Sequence, residues 1–452
     1  MAGNNNNSHQ ESGLRQFFIA FFIGAGAVVI GAVIFLVIRI RLTGGTRQDV
    51  VTIDSRPEAV ANIETADIDQ VHYDEIEAVP YLENLIDANG NVDVTQVPHL
   101  YIYPLLNDNR GFDASYSSEG RVAVTNSNNL TPKEFGELLE RLYDAGFMLV
   151  RMRDLVYTEE TPDNGLRIMP RTDFSLPEGK KPLILTEDNA NYHHTTEGIG
   201  FASKIVLQNG SLKCLYKNAE GAEKVGNYDA VPILEDFLKG HPDFSYNGAR
   251  MTLALTGYNG VFGYRTDVSY QTGIGLTDLQ EKWLAANPEF DYDAEVESAK
   301  EVAQVLLDAG YEFANKTWGD RIVGTSKLAD LKVDLEKWKT SVEPIIGKTD
   351  IFVFSHDSDI SDTPGDYQSN NDKYNYFTSE GYHYFCTGSR GVFAKEYYGI
   401  DYMCSARYGL TPYNLIIYNQ DGNTAGIFNA LGIGNFGPML DSRRPEGYMY
   451  AS

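Results

Sequence analysis

Lys316 and Asp320 stand four residues apart in DAGYEFANKTWGDR (308–321), opposite charges just after a short apolar run. A pair of histidines at this spacing grips a metal in many hydrolases. The segment therefore has three readings: the remains of a metal site, a rebuilt one, or an ordinary solvated ion pair worth about 0–1 kcal/mol. Comparable polar stretches are EDNANYHH (187–194), GYNGVFGYRTD (257–267) and SHDSD (355–359). Among them, Asp188, Asp320, His193, His194, His356, Asp357 and Asp359 offer oxygen and nitrogen donors that a divalent cation accepts. Lys316 offers none while protonated. Without a metal, His193 and His194 are loop histidines with ordinary hydrogen bonds, and SHDSD is a loop whose Asp and Ser cap nearby backbone groups.

These stretches follow runs that read as strands: PLILT (182–186), MTLALT (251–256), YEFA (311–314) and DIFVF (350–354). Further strands are expected at HLYIYPLL (99–106), FMLV (147–150), KIVL (204–207), LKCLY (212–216) and YHYFC (382–386). Between them lie helical patterns. One has Thr131 as N-cap, Pro132 at the first helical position and Phe135, Leu138, Leu139 and Leu142 on a single face, with Gly146 ending it. Others cover 230–242, 294–311 and 327–346. Strands alternating with helices of this length call for a largely parallel sheet, open or closed into a barrel, with the site beyond the carboxyl ends of the strands.

The 452 residues, 42% hydrophobic and 12% aromatic, suffice for a sizeable core. A net charge of -26 argues against nucleic acid as a partner, because the phosphate backbone is bound by clustered Lys and Arg. Cys214, Cys386 and Cys404 allow one disulfide at most, with Cys386 and Cys404 the nearer pair in sequence. GIGNFG (432–437) lacks the strand and helix that a dinucleotide site requires. After a short tail (1–16), the uncharged run 17–38 is long enough to cross a bilayer once and is expected to anchor the chain uncleaved. Arg39, Arg41 and Arg47 follow it and only Arg15 precedes it, which on the positive-inside rule would hold the remainder in the cytoplasm. Residues 39–97 read as an acidic stalk and 98–452 as the folded domain.

From about His99 to Tyr448 the chain resembles the polysaccharide deacetylases of carbohydrate esterase family four. The likeness lies in the order and spacing of TPKEFGELLERLYDAGFMLVRMRDL, KKPLILTEDNANY, HPDFSYNGARMTLALTGYNGVFGYRTD, YEFANKTWGDR and GYHYFC. It implies a deformed (β/α) barrel in the α/β class. It also implies a divalent metal, commonly zinc, held by one Asp and two His, with a neighbouring Asp as general base in removing acetyl from N-acetylated sugars. Such a cation lowers the pKa of its bound water toward neutrality. Here Asp188 matches the base, while Asn189, Lys316 and Asp320 stand at the three ligand positions. Tyr103 replaces a frequent His, and SRRPEGY (442–448) resembles a terminal arginine segment whose plain alternative is a surface salt bridge.

With every ligand changed, the resemblance implies a metal-free pocket in which Lys316, bracketed by Asp188 and Asp320, stands in for the cation. The alternative is an active deacetylase with zinc or another divalent metal on displaced ligands drawn from His193, His194, His356 and Asp357. Tyr258, Tyr264, Arg265 and Trp318, with Tyr270 nearby, are candidate sugar contacts, although core packing explains most aromatics equally well. Three functions remain: a pseudoenzyme that binds cell-wall or capsular polysaccharide, an active deacetylase, and an envelope scaffold. The resemblance places the large domain outside the plasma membrane, against the charge signal after residue 38.

Overall fold

The computed structural model describes residues 82, 84–162, 165–388, 395–417, 431–434 and 440–445. The expected anchor (17–38) and most of the expected stalk lie outside them, and among the described residues no helix is long and apolar enough to cross a membrane. The chain divides into two units, 1–73 and 74–452, and all that follows concerns the second.

Its strands are β1 (His99–Ile102), β2 (Phe147–Leu149), β3 (Val156–Glu160), β4 (Leu166–Pro170), β5 (Lys181–Asp188), β6 (Ala202–Gln208), β7 (Ser211–Lys217), β8 (Glu223–Gly226), β9 (Thr252–Leu255), β10 (Glu312–Asn315), β11 (Ile351–Val353), β12 (Tyr384–Gly388), β13 (Lys395–Tyr398) and β14 (Met403–Gly409). Seven of them run parallel in the order β1-β14-β12-β11-β10-β9-β5, and β1 also pairs with β5, which closes the ring. The expected (β/α) barrel is therefore present. β2 extends it beside β5 and β13 lies antiparallel on β14. The β3–β4 hairpin and the β6–β7–β8 sheet stand apart.

Side chains on a strand alternate between faces. On β5, Leu183 and Leu185 join the large cluster that packs the ring against its helices, while Ile184 joins a second cluster with Ala254, Ala314, Val353 and Cys386 of the neighbouring strands. Polar groups fill part of this inner face. His99 Nδ1 lies 2.7 Å from Ser405 Oγ on β14, and Nε2 lies 2.6 Å from Thr186 Oγ1 on β5, so one imidazole ties β1 to both neighbours. Ser405 donates to Glu396, so His99 donates from Nδ1 and accepts at Nε2. Burial, reinforced by the Arg407 charge, holds the His99 pKa well below its ordinary value and keeps it neutral.

The helix Pro132–Asp144 has the expected start: Thr131 and Glu134 form a reciprocal capping box, Pro132 follows the cap, and Phe135, Leu138, Leu139 and Leu142 are buried. The sequence allows one disulfide at most and starts the folded domain at residue 98; the second point needs correction. All three cysteines are free and buried. The parallel register sets Phe385, not Cys386, opposite Cys404, so the two thiols fall in different clusters on opposite faces. In addition, Leu85, Val92, Val94 and Val97, expected in the stalk, are buried against Val150, Met152, Phe174 and Met403, so packing begins before residue 98.

The terminal arginine segment is no surface salt bridge. Arg444 donates to both oxygens of Glu134, which is fully buried, and to the carbonyls of Asn126 and Asn129. Glu134 also accepts from Asp441 N at 2.7 Å. Removing one partner strands a buried charge. Arg444→Ala should lower unfolding stability by about 3–5 kcal/mol, whereas Arg443→Ala, at a more exposed pair with Asp441, should cost about 1 kcal/mol or less. Urea denaturation followed by circular dichroism measures both.

Candidate functional site

Three loops at the carboxyl ends of β5, β9 and β10 build the mouth of the barrel. Asn189 leaves β5 with φ 63°, a left-handed conformation that Asn tolerates. Asn191 then staples the first two loops together: its side chain accepts from Thr256 N at 2.8 Å and donates to the carbonyls of Thr256 and Gly260. After β10, Thr317 and Asp320 also take positive φ. Buried Asp334 fastens this turn by accepting from Trp318 N (2.7 Å), Gly319 N (2.9 Å) and Arg321 Nε (3.1 Å). Gly257 permits the close approach of Trp318, since any Cβ there would collide with the indole.

The turn delivers Lys316 to a defined place. Its Nζ, buried, lies 2.9 Å from Asp320 Oδ1 and 3.2 Å from Asn189 Oδ1. Ser355 Oγ on the next loop donates to the Lys316 carbonyl at 2.9 Å. The three residues matched to metal-ligand positions thus meet one another, with an ammonium among them. Burial disfavours the Asp320 carboxylate, but the charge and hydrogen bond of Lys316, helped by Ser355 and His356, outweigh it and lower its pKa.

Asp188 is not part of that cluster. Its two oxygens accept from Arg407 Nη1 (2.6 Å) and Nη2 (3.3 Å), both side chains almost wholly buried. The expected bracketing of Lys316 by Asp188 and Asp320 is corrected accordingly: Lys316 pairs with Asp320, and a different cation takes Asp188. The Asp188 charge more than offsets burial and raises the Arg407 pKa. Arg407 also lies under Tyr101, 4.6 Å from the ring centroid, and Tyr101 packs edge-on against Tyr103 at 5.7 Å.

The remaining candidates separate into two groups. His193 stays at the mouth, stacked on Tyr258 with centroids 4.6 Å apart and Nε2 3.3 Å from Thr256 Oγ1. Burial takes its pKa down to about 3, against the opposing pull of Asp320. Exposed His356 reaches Asp320 Oδ2 at 3.7 Å, and exposed Asp357 accepts from Tyr101 at 3.3 Å. Trp318 flanks the cluster, donating to Asp267 at 2.7 Å. The second group faces elsewhere. His194 is held by Glu197 (2.8 Å) and Tyr270 (2.6 Å), and Arg265 by Glu197 and the Tyr192 carbonyl. Tyr264 is buried beneath Lys204, and Asp359 is turned toward Ser361 and Tyr367.

This donor set does not fit a divalent cation. Asn189 is a neutral amide, Asp320 is already paired, and Lys316 brings a positive charge to within hydrogen-bonding distance of both. Among the described residues, no three His, Cys, Asp or Glu side chains come together so as to hold a metal ion.

No family model and no curated protein matches the chain. Three solved structures are similar to it: a Streptococcus pyogenes deacetylase, PplD, in complex with acetate (TM-score 0.35, 14% identity, 69% of this chain and 92% of that one); the putative polysaccharide deacetylase BA0330 from Bacillus anthracis (0.34, 13%, 69% and 64%); and IcaB from Ammonifex degensii (0.31, 10%, 70% and 93%).

A carboxyl whose folded pKa is depressed stabilises the fold above its unfolded value, about 3.9 for Asp, and that contribution is lost as pH falls through the folded value. Wild type should therefore exceed Asp320→Asn in stability most clearly near neutral pH, with the gap closing below about pH 4. Denaturant midpoints at pH 7, 5 and 3 measure it.

Proposed function

We propose that this chain is a divergent member of the polysaccharide deacetylase family that has exchanged its metal for protein cations and binds envelope glycan without hydrolysing it. The observation that carries the reading is the position of Lys316 Nζ, hydrogen-bonded at once to Asn189 and Asp320. These are the positions that the resemblance assigns to ligands, and an ammonium there repels a dication. The resemblance adds what that exchange removes, the activation of water by a bound metal.

Asp188 supports the same reading. A general base acts through a lone pair directed at the proton it takes. Both oxygens of Asp188 are engaged by one guanidinium inside the barrel, so protonating Asp188 would break a buried ion pair. Asp188 in this chain holds Arg407 in place. The run 17–38 fits a single membrane anchor that displays the barrel on the outer face of the plasma membrane.

Purified protein should release no acetate from N-acetylated chitooligosaccharides with zinc, cobalt or nickel supplied, and elemental analysis should find no stoichiometric metal. Acetate release that vanishes in Asp188→Ala would overturn the reading. Asn189→Asp, Lys316→His and Asp320→His together should restore zinc affinity measured by calorimetry. Activity should remain absent in that triple variant, because Arg407 still holds Asp188.

A further inference from the structure

Beside the Lys316 cluster, Tyr258 and Trp318 wall a cavity of about 360 Å³. Tyr258 stacks on His193 and lies edge-on to Trp318 at 6.4 Å, so both rings are fixed by neighbours. Lys337 Nζ stands at the cavity wall, 4.0 Å from the Trp318 ring centroid. Ile274 at the edge is 79% exposed, which leaves an apolar surface open to a ligand.

The charges of this cavity are unbalanced in an unexpected direction. Asp267 is the one carboxylate among its described lining residues, and its oxygens are taken: it accepts from Ser269 N, Trp318 Nε1 and Ser341 Oγ. Lys337 forms no ion pair among the described residues, whereas Lys339 on the same helix is paired with both Glu336 and Glu380. Arg121, whose charge acts on the Tyr258 hydroxyl, donates to the Thr195 carbonyl at 3.3 Å and likewise has no carboxylate partner among the described residues. At the mouth itself Arg407 is matched by Asp188 and Lys316 by Asp320. Two unmatched cations beside one aromatic wall stand out in a chain of net charge -26.

We infer that this cavity is a subsite for a carboxylate-bearing pyranose of an acidic glycan, its ring against the Tyr258–Trp318 wall and its carboxylate drawn to Lys337, with Arg121, outside the cavity lining, adding its charge from the Tyr258 side. The inference rests on the glycan-binding reading and adds the charge class of the glycan. An aromatic wall supplies contact area for the apolar face of a sugar ring. A cation that is partly shielded from water gains more from an anion than a solvated one does, and partial burial lowers the Arg121 pKa.

The test is calorimetry on the full chain in detergent with two oligosaccharides of equal length. One is hyaluronan hexasaccharide, which alternates glucuronate with N-acetylglucosamine; the other is neutral chitohexaose. Hyaluronan hexasaccharide should bind at least about tenfold more tightly than chitohexaose, and less tightly in 300 mM salt than in 50 mM. Lys337→Met, which keeps the aliphatic stem on Trp318, should weaken the acidic oligomer about tenfold and leave the neutral one unchanged. Arg121→Gln should act in the same direction. Binding of chitohexaose as tight as that of hyaluronan, or indifference of hyaluronan binding to both substitutions, would overturn the inference and leave the glycan-binding reading standing. Failure of both oligomers to bind would overturn the two together.

Discussion

Carboxylates gathered at the mouth of a closed parallel barrel must be compensated, and the rest of the site follows from how this chain does it. Seven parallel strands end at one rim, and the side chains directed inward there share a small volume sheltered from water. An isolated charge in such a place costs several kcal/mol. A divalent cation is one way to offset two or three carboxylates. Here Arg407 takes Asp188 and Lys316 takes Asp320, each within normal hydrogen-bonding distance. Both cations are covalent parts of the chain, so the compensation cannot dissociate, and each Asp188 oxygen accepts from one guanidinium nitrogen.

The two pairs differ in what they can tolerate. Arg407 and Asp188 are almost fully buried and matched fork to carboxylate, a geometry that a lysine could not reproduce. Lys316 is buried but its partner Asp320 is 28% exposed, with His356 at its other oxygen. The first pair belongs to the barrel interior, continuous with the His99–Ser405–Glu396 chain beneath it. The second belongs to the loops and meets solvent. Any ligand at the mouth would therefore meet a rigid floor and a more adaptable rim, flanked by Tyr258 and Trp318.

Much of this was legible in the sequence, for physical reasons that also explain what was not. The strands before the polar loops are apolar runs bounded by turns, and the capping box at Thr131 is a local signal, so both could be read directly. Asn189, Lys316 and Asp320 came together because family spacing links loops that the residues alone do not connect. Arg407 escaped notice because MCSARYG carries no strong pattern and closes the ring only through tertiary pairing with β1 and β12. A faint signal was present: Ser405 and Arg407 are two residues apart, like Thr186 and Asp188, the spacing of one strand face. His194 and Arg265 share loops with true mouth residues, but a sequence does not reveal which way a loop side chain turns.

In the proposed reading, the Lys316 ammonium takes the place that the resemblance assigns to a metal ion. Crystals grown with millimolar zinc and measured on both sides of the zinc absorption edge test it most directly. Continuous density is expected for Lys316 reaching toward Asn189 and Asp320, with Asp188 clasped by Arg407 and no anomalous peak between them. A zinc peak ligated by Asp320, with Lys316 swung outward, would contradict it.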